Sequence, residues 1–484
     1  MRGMRPAYRP AGTCVKVASR RWCVYPRGMR YRGWNFEKTL LIESKDPVDR
    51  RGEIVDAFVT VPAESAGNLE NDVRVVLKPA WNRFGGELPC QVYAVERHGD
   101  VASFRVVFAV DVPPHGSRRI GILYDNPAAQ RPAVQSALDV SGTGCGIAVD
   151  ARDYAVAYDP QSGEISRAVI KVRRVENTFL KEITPTGSVQ PGVSVDFPAE
   201  DAGFRTARAS DWRDPRIVSE VHGPLFHSVT REAPLVLPAG AIAAEPPVLR
   251  VTHTFFADAP YLLVDSRLSF PADTGVLGIS MGVLRADSAK LSHYTFRPVS
   301  PSLKLTDVEE MGHLIIDPVS VGNLPEGNVL SGFIPYDCAW HSFIHITKGG
   351  WASQYAVTGI NLRSAAAVAD GRPPVRYRAA TYLFRENGAV RWFRAPIYVK
   401  RRDRRENVVV VPAGSVYRET DALVFGHWNA EGWAQEIEAL GRRLNTPLEI
   451  SAHPALPGRV EPADHGACFG YGERRDAYLR AGVR

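Results

Sequence analysis

Residues 425–448 read FGHWNAEGWAQEIEALGRRLNTPL, and they hold the one convincing amphipathic helix in a chain otherwise written in short strands. Trp433, Ile437, Leu440 and Leu444 fall four, three and four apart, which lines a single helical face, while Glu436, Glu438, Arg442 and Arg443 lie off it. One helix closing a long strand-rich chain predicts an all-β protein built as a large sandwich.

Upstream of that helix the strand pattern runs almost without interruption. From Trp34 to about Ala129 come KTLLIES, IVDAFVTVP, DVRVVLKP, LPCQVYAVERH, ASFRVVFAVDV and RRIGILYD, β-branched and aromatic runs broken by Pro, Gly and Asp. They predict an N-terminal small β-sandwich or barrel over residues 34–130. Asn126–Ser136, NPAAQRPAVQS, has two prolines and no period, and reads as a linker. Beyond it, runs such as YAVAYD, EISRAVIKVR, LFHSVTRE, VLRVTHTFFA, YLLVDSRLSF, VLGISMGVLR, HSFIHIT and NVVVVPAG follow with no helices between them. That excludes a βαβ layout and predicts a large antiparallel β-supersandwich over 131–450, with one C-terminal helix. Residues 451–484, rich in Pro, Gly and charge, read as a tail.

Charge narrows the partners. The formal net charge is +6, yet residues 1–33 contain nine Lys or Arg and no acid, so without that leader the remainder falls to −3. A nucleic-acid reading would rest wholly on this basic stretch, and none is expected. The leader lacks the apolar core of a secretory signal, and no run is long and apolar enough to span a membrane as a helix. Six cysteines carry no C-x-x-C spacing, which signals neither a zinc knuckle nor a disulfide scaffold and points to a reducing, cytoplasmic compartment. Neither a Walker loop, nor G-x-G-x-x-G, H-E-x-x-H or G-x-S-x-G is present, so no nucleotide, flavin, metalloprotease or serine-hydrolase chemistry is indicated.

Several local patterns resemble one superfamily. YAVAYDPQSGEISRAVIKV, Tyr154 to Val172, looks like the entry strands of galactose-mutarotase-like supersandwich domains. VHGPLFHSVTRE followed by VLRVTHTFFADAPYLLVDSRLSF resembles the central strands of the same group, which includes the β-domains of family 38 α-mannosidases and of polysaccharide lyases. The close at Leu444-Asn445-Thr446-Pro447-Leu448 is similar to the end of those mannosidase domains. The resemblance implies an oligo- or polysaccharide as partner, no organic cofactor, and room for a structural Ca²⁺. It speaks to fold more than to reaction.

Three constellations carry chemistry that would suit such a ligand. His293, Tyr294 and Arg297 supply a proton donor or acceptor and an anion-stabilising guanidinium within five residues, as β-elimination on a uronate needs; strand alternation, however, would send His293 and Tyr294 to opposite faces. Asp337, Trp340 and His341 offer stacking and hydroxyl recognition. His341 and His345 stand about 13 Å apart on a strand, too far for one metal ion, and no metal site is expected. Trp212 and Arg213, in the long polar loop Ala199 to Arg216, suit a rim over a cleft, with His227 and His253 on neighbouring strands as an acid and base. A lone histidine or tryptophan in such a sandwich is more often core. The leading expectation is a lyase. The alternatives are a non-catalytic carbohydrate-binding or accessory protein, and a glycoside hydrolase with paired carboxylates.

Overall fold

In the computed structural model the described residues are 33–452 apart from 80–84, 174–177, 185–188, 190–191, 202, 299–318, 321–337, 346–353, 368–373, 378, 400–406 and 428–431. Asp337 and most of the leader and tail lie outside them, as does the side chain of Arg297. The described residues are nearly all β, in antiparallel sheets, with a C-terminal helix Trp433–Asn445 and a single helical turn at Leu69–Asp72.

The N-terminal strands form two facing sheets and no closed barrel. One has the order Glu449–Ala452, Phe36–Glu43, Ser117–Tyr124, Arg74–Leu77, Glu87–Leu88; the other is Arg50–Pro62, Val101–Val112, Cys90–His98. Alternate residues turn inward at the two-residue strand period, so Leu40, Ile42, Val55, Val59, Phe104, Phe108 and Ile122 meet in one core. Glu449–Ala452 comes from beyond the helix and pairs with Phe36–Glu43, Leu40 opposite Ala452, so the far end of the sequence completes the first sheet.

The second body is organised by a ten-stranded antiparallel sheet. Its central order is Phe226–Pro234, Val248–Phe256, Tyr261–Ser269, Val416–His427, Tyr355–Ala367, Cys338–His345, His293–Pro298. Its inner face is covered by two five-stranded sheets. One contains Tyr154–Tyr158 and Ile165–Arg173; the other contains Ser194–Pro198, Gly278–Asp287 and Ala389–Tyr398. Tyr154, Ile170, Phe197, Met281 and Trp392 from these layers share a core with Val251, Phe255, Val264 and Leu423 of the large sheet.

The outer face of the large sheet receives the helix and the N-terminal unit. Trp433, Ile437 and Leu444 are buried against Ile360, Val424 and Leu263, with half-buried Leu440 beside them, so the apolar stripe read from sequence is the face that docks. The Trp433 indole N–H donates to Ser342 Oγ at 3.1 Å, which supplies its buried polar atom with a partner. Gln91 joins the two bodies: its amide oxygen accepts from the backbone N–H groups of Leu225 and Phe226 at 3.0 and 3.1 Å, and its nitrogen donates to Phe226 O.

Candidate functional site

Strand register decides which of the candidate side chains can meet. On the inner face of the large sheet, His227 stands opposite Phe255, Phe255 opposite Leu262, Leu262 opposite Leu423, Leu423 opposite Gly359 and Gly359 opposite His341. Five strand spacings of roughly 4.8 Å separate His227 from His341, about 24 Å along the sheet. Tyr294 shares that face near His341, opposite Phe343, whereas His293 points the other way. Alternation therefore splits the proposed lyase group: Tyr294 is buried in the core, and His293 is half-buried with its Nδ1 2.8 Å from Ser292 Oγ. The inner face is filled by the two covering sheets, because its side chains are large enough to pack against them.

The tryptophans are structural. Trp212 is buried under the first covering sheet and donates its N–H to Pro234 O at 3.1 Å, so it does not stand on a rim. Arg213 beside it is exposed and turns back onto the carbonyls of Asp211 and Trp212. Trp340 belongs to the outer core against the helix, while its neighbour His341 faces inward and lies flat on Trp392, centroids 4.0 Å apart and planes 18° from parallel. Adjacent residues on one strand cannot hold one sugar between them.

Two buried polar centres occupy the inner face, and Val264 lies between them in register: His253 pairs with Val264, and Val264 with Asp421. The first centre does bring His227 and His253 together, as diagonal neighbours on paired strands. Arg231 shares their face; its Nη1 lies 3.1 Å from His253 Nδ1 and its guanidinium carbon 4.1 Å above the Tyr158 ring. Glu164, between the turn Asp159–Gly163 and the strand Ile165–Arg173, is fully buried. That turn is fixed by the Asp159 carboxylate, which accepts from Ser162 Oγ at 2.7 Å and from the backbone N–H groups of Gln161 and Ser162. Burial raises the Glu164 carboxyl to about 8 despite the nearby Arg231 charge. It lowers His227 to about 4, helped by the charges of His222 and Arg231, and drives His253 well below its ordinary value. Both histidines are thus neutral at physiological pH. Histidine was legible in sequence here; Glu164 and Arg231, which complete the centre, were not singled out.

The second centre was missed altogether. Glu419 and Asp421 alternate with outward residues on one strand, so both carboxyls face inward about 7 Å apart at the backbone. Arg394 Nε lies 3.2 Å from Glu419 Oε1, the Tyr377 hydroxyl donates to Glu419 Oε2 at 3.0 Å, and Asn361 Nδ2 donates to Asp421 Oδ1 at 3.0 Å. Burial raises the Asp421 carboxyl to about 6, against the lowering pull of the Arg394 charge and the Asn361 hydrogen bond. Half-buried Tyr377 and Tyr417 stand at the edge of this network, ring centroids 6.1 Å apart. The i, i+2 carboxyls at 419 and 421 were the available signal.

Among the described residues no three His, Cys, Asp or Glu side chains gather as a metal site, and no helix is long and apolar enough to cross a membrane.

No family model matches the chain, and no curated protein matches it. Among solved structures it is similar to an α-mannosidase from Enterococcus faecalis V583, at 10% identity and a TM-score of 0.49, covering 89% of this chain and 47% of the other. A protein in the glycosyl hydrolase family 38 from Enterococcus faecalis has the same identity and TM-score, with 89% and 49% covered. The chain spans about half the length of these two structures.

Proposed function

We propose that the chain works in carbohydrate processing by holding a saccharide at the edge of its supersandwich, rather than as a uronate lyase. The observation that carries this reading is the pairing of half-buried Tyr377 and Tyr417 with the Asn361, Glu419 and Asp421 network directly behind them. Tyrosine faces cover the apolar side of a pyranose, and fixed amide and carboxyl groups bind its hydroxyls. The local likeness of Tyr154–Val172 and of Leu444–Leu448 to mutarotase-like sandwiches supports the same ligand class. β-Elimination loses its support, since His293 and Tyr294 occupy opposite faces and His227 and His253 are sealed in the core.

Titration calorimetry with a panel of neutral and uronate-containing oligosaccharides tests the proposal. Binding without turnover is expected, weakened about ten-fold, equal to about 1.4 kcal/mol, by Tyr377→Ala or Tyr417→Ala. Absorbance from a new 4,5-double bond on uronate substrates would restore the lyase, and failure to bind any glycan would remove the saccharide.

A second reading, glycoside hydrolysis, is favoured by the carboxyl pair itself. Asp421 and Glu419 both crowd the same point above Gly282, whereas a pair that straddles a glycosidic bond stands roughly 5–5.5 Å apart or wider, so the two would have to separate on binding. Reducing ends released by the protein and lost in Glu419→Gln would establish it.

A further inference from the structure

The first covering sheet ends in a strand, Thr178–Glu182, that pairs with Ile165–Arg173 on one side, and no described strand pairs with its other side. Leu180 on this edge is 67% exposed and its neighbour Phe179 40%. Consecutive strand residues point to opposite faces. Phe179 and Lys181 stand opposite inward-facing Val172 and Ile170, whereas Leu180 stands opposite Lys171 on the outer face. A partner laid flat on either face would cover only one of the two apolar side chains. An element running along the open edge reaches both, and an apolar edge is what a further strand pairs with.

Backbone register says which groups face that edge. Ile183 N donates to Ala168 O at 3.0 Å, and the ladder continues through Lys181 opposite Ile170 and Phe179 opposite Val172. Antiparallel ladders alternate hydrogen-bonded and non-hydrogen-bonded pairs, so residues 179, 181 and 183 bond back into their own sheet. The N–H and C=O groups of Thr178, Leu180 and Glu182 therefore point outward.

We propose that Thr178–Glu182 is a dimerisation edge, to which a second copy of this chain adds the same strand antiparallel about a two-fold axis at Leu180, joining two covering sheets into one. Residues directly opposite share a face, so the axis must set some residue against its own copy. Centred on Leu180, the pairing brings the two leucines together on the outer face and the Lys181 amine over the Phe179 ring of the second copy on the inner face. Glu182, which Arg167 Nη2 already bonds at 3.2 Å, falls beside the Thr178 hydroxyl of the second copy. The outward backbone groups of Thr178, Leu180 and Glu182 then meet one another. Centring on Lys181 instead would oppose two ammonium groups and set Leu180 against Glu182, so the side chains select the first register. This assignment does not rest on the saccharide reading above, which concerns the tyrosine pair on another edge.

Sedimentation velocity of the whole chain over a concentration series tests it. The native protein forms a reversible dimer. Leu180→Lys and Phe179→Lys, each of which sets ammonium against ammonium across the axis, raise the concentration of half-dissociation at least about ten-fold. Phe179→Glu, which meets Lys181 of the second copy, keeps the dimer. Under mild oxidation Leu180→Cys crosslinks two chains above the background of the native protein and Thr178→Cys does not, since residue 180 stands opposite itself with about 5.5 Å between Cα atoms. A native chain that stays monomeric, a dimer unmoved by Leu180→Lys, equal losses in Phe179→Glu and Phe179→Lys, or no crosslink through Leu180→Cys would overturn the proposal.

Discussion

Gly282 faces Asp421 so closely that a Cβ on the glycine would stand 2.4 Å from Asp421 Oδ2, and its φ of +57° is one that side chains rarely adopt. The same Cβ would come 2.9 Å from Glu419 Oε1. The carboxyl pair can thus be buried only because the strand crossing it carries no side chain there.

Gly282→Ala should therefore destabilise the protein by about 2–4 kcal/mol, combining overpacking with left-handed backbone strain. The urea midpoint measures it. A change below about 0.5 kcal/mol would mean that the pair has room to move aside.

Arg50 ties the two ends of the chain together. It is fully buried, pairs with Asp46 and Glu53, and donates to the carbonyls of Arg443 and Thr446 at the end of the helix. Arg50→Ala leaves buried Asp46 without its cation, while Glu53 keeps Arg443, and should cost about 3–5 kcal/mol. Hydrogen exchange in Glu449–Ala452 should rise before that of the central sheet, since this strand follows directly after the freed carbonyls.

Acid should loosen the sandwich through His227. Its folded value of about 4 lies below the ordinary 6.5, so its contribution is present above pH 6.5 and is lost as pH falls through about 4. In His227→Phe the melting temperature should decline less over that window. An unchanged slope would assign the acid sensitivity to His253, which burial depresses in the same direction.

Glu164 produces the opposite slope. Its folded carboxyl, at about 8, holds a proton more tightly than the ordinary 4.5, so stability falls as pH rises from 4.5 through about 8. Between pH 6.5 and 8 the depressed histidines are neutral in the fold, which leaves Glu164 as the main slope from this centre. Glu164→Gln should flatten the melting temperature there, and a slope equal to that of the native protein would contradict the assignment.

Much of the architecture was legible because it is written in periods. The two-residue alternation of VLRVTHTFFA sends Leu249, Val251, His253 and Phe255 to one face, and the spacing of Trp433, Ile437 and Leu444 buries one helical stripe. The Asp159-to-Gly163 turn, too, is specified by its own residues. The candidate site was less legible. His227 and His253 do meet, but Tyr294 and His341 lie at the far end of the same face, and nothing local to either segment encodes that distance.

Sequence by itself determined the all-β class, the closing helix and the inward or outward direction of each strand residue, because these follow from short-range backbone geometry. Tertiary structure alone decided that two further sheets close over the inner face, that the last strand returns to the first sheet, and that Glu164, Arg231, Glu419 and Asp421 end up in the dry interior. Burial, pairing and proton affinity are properties of neighbours supplied by distant strands, and strand order is set by packing of the whole chain rather than by any segment of it.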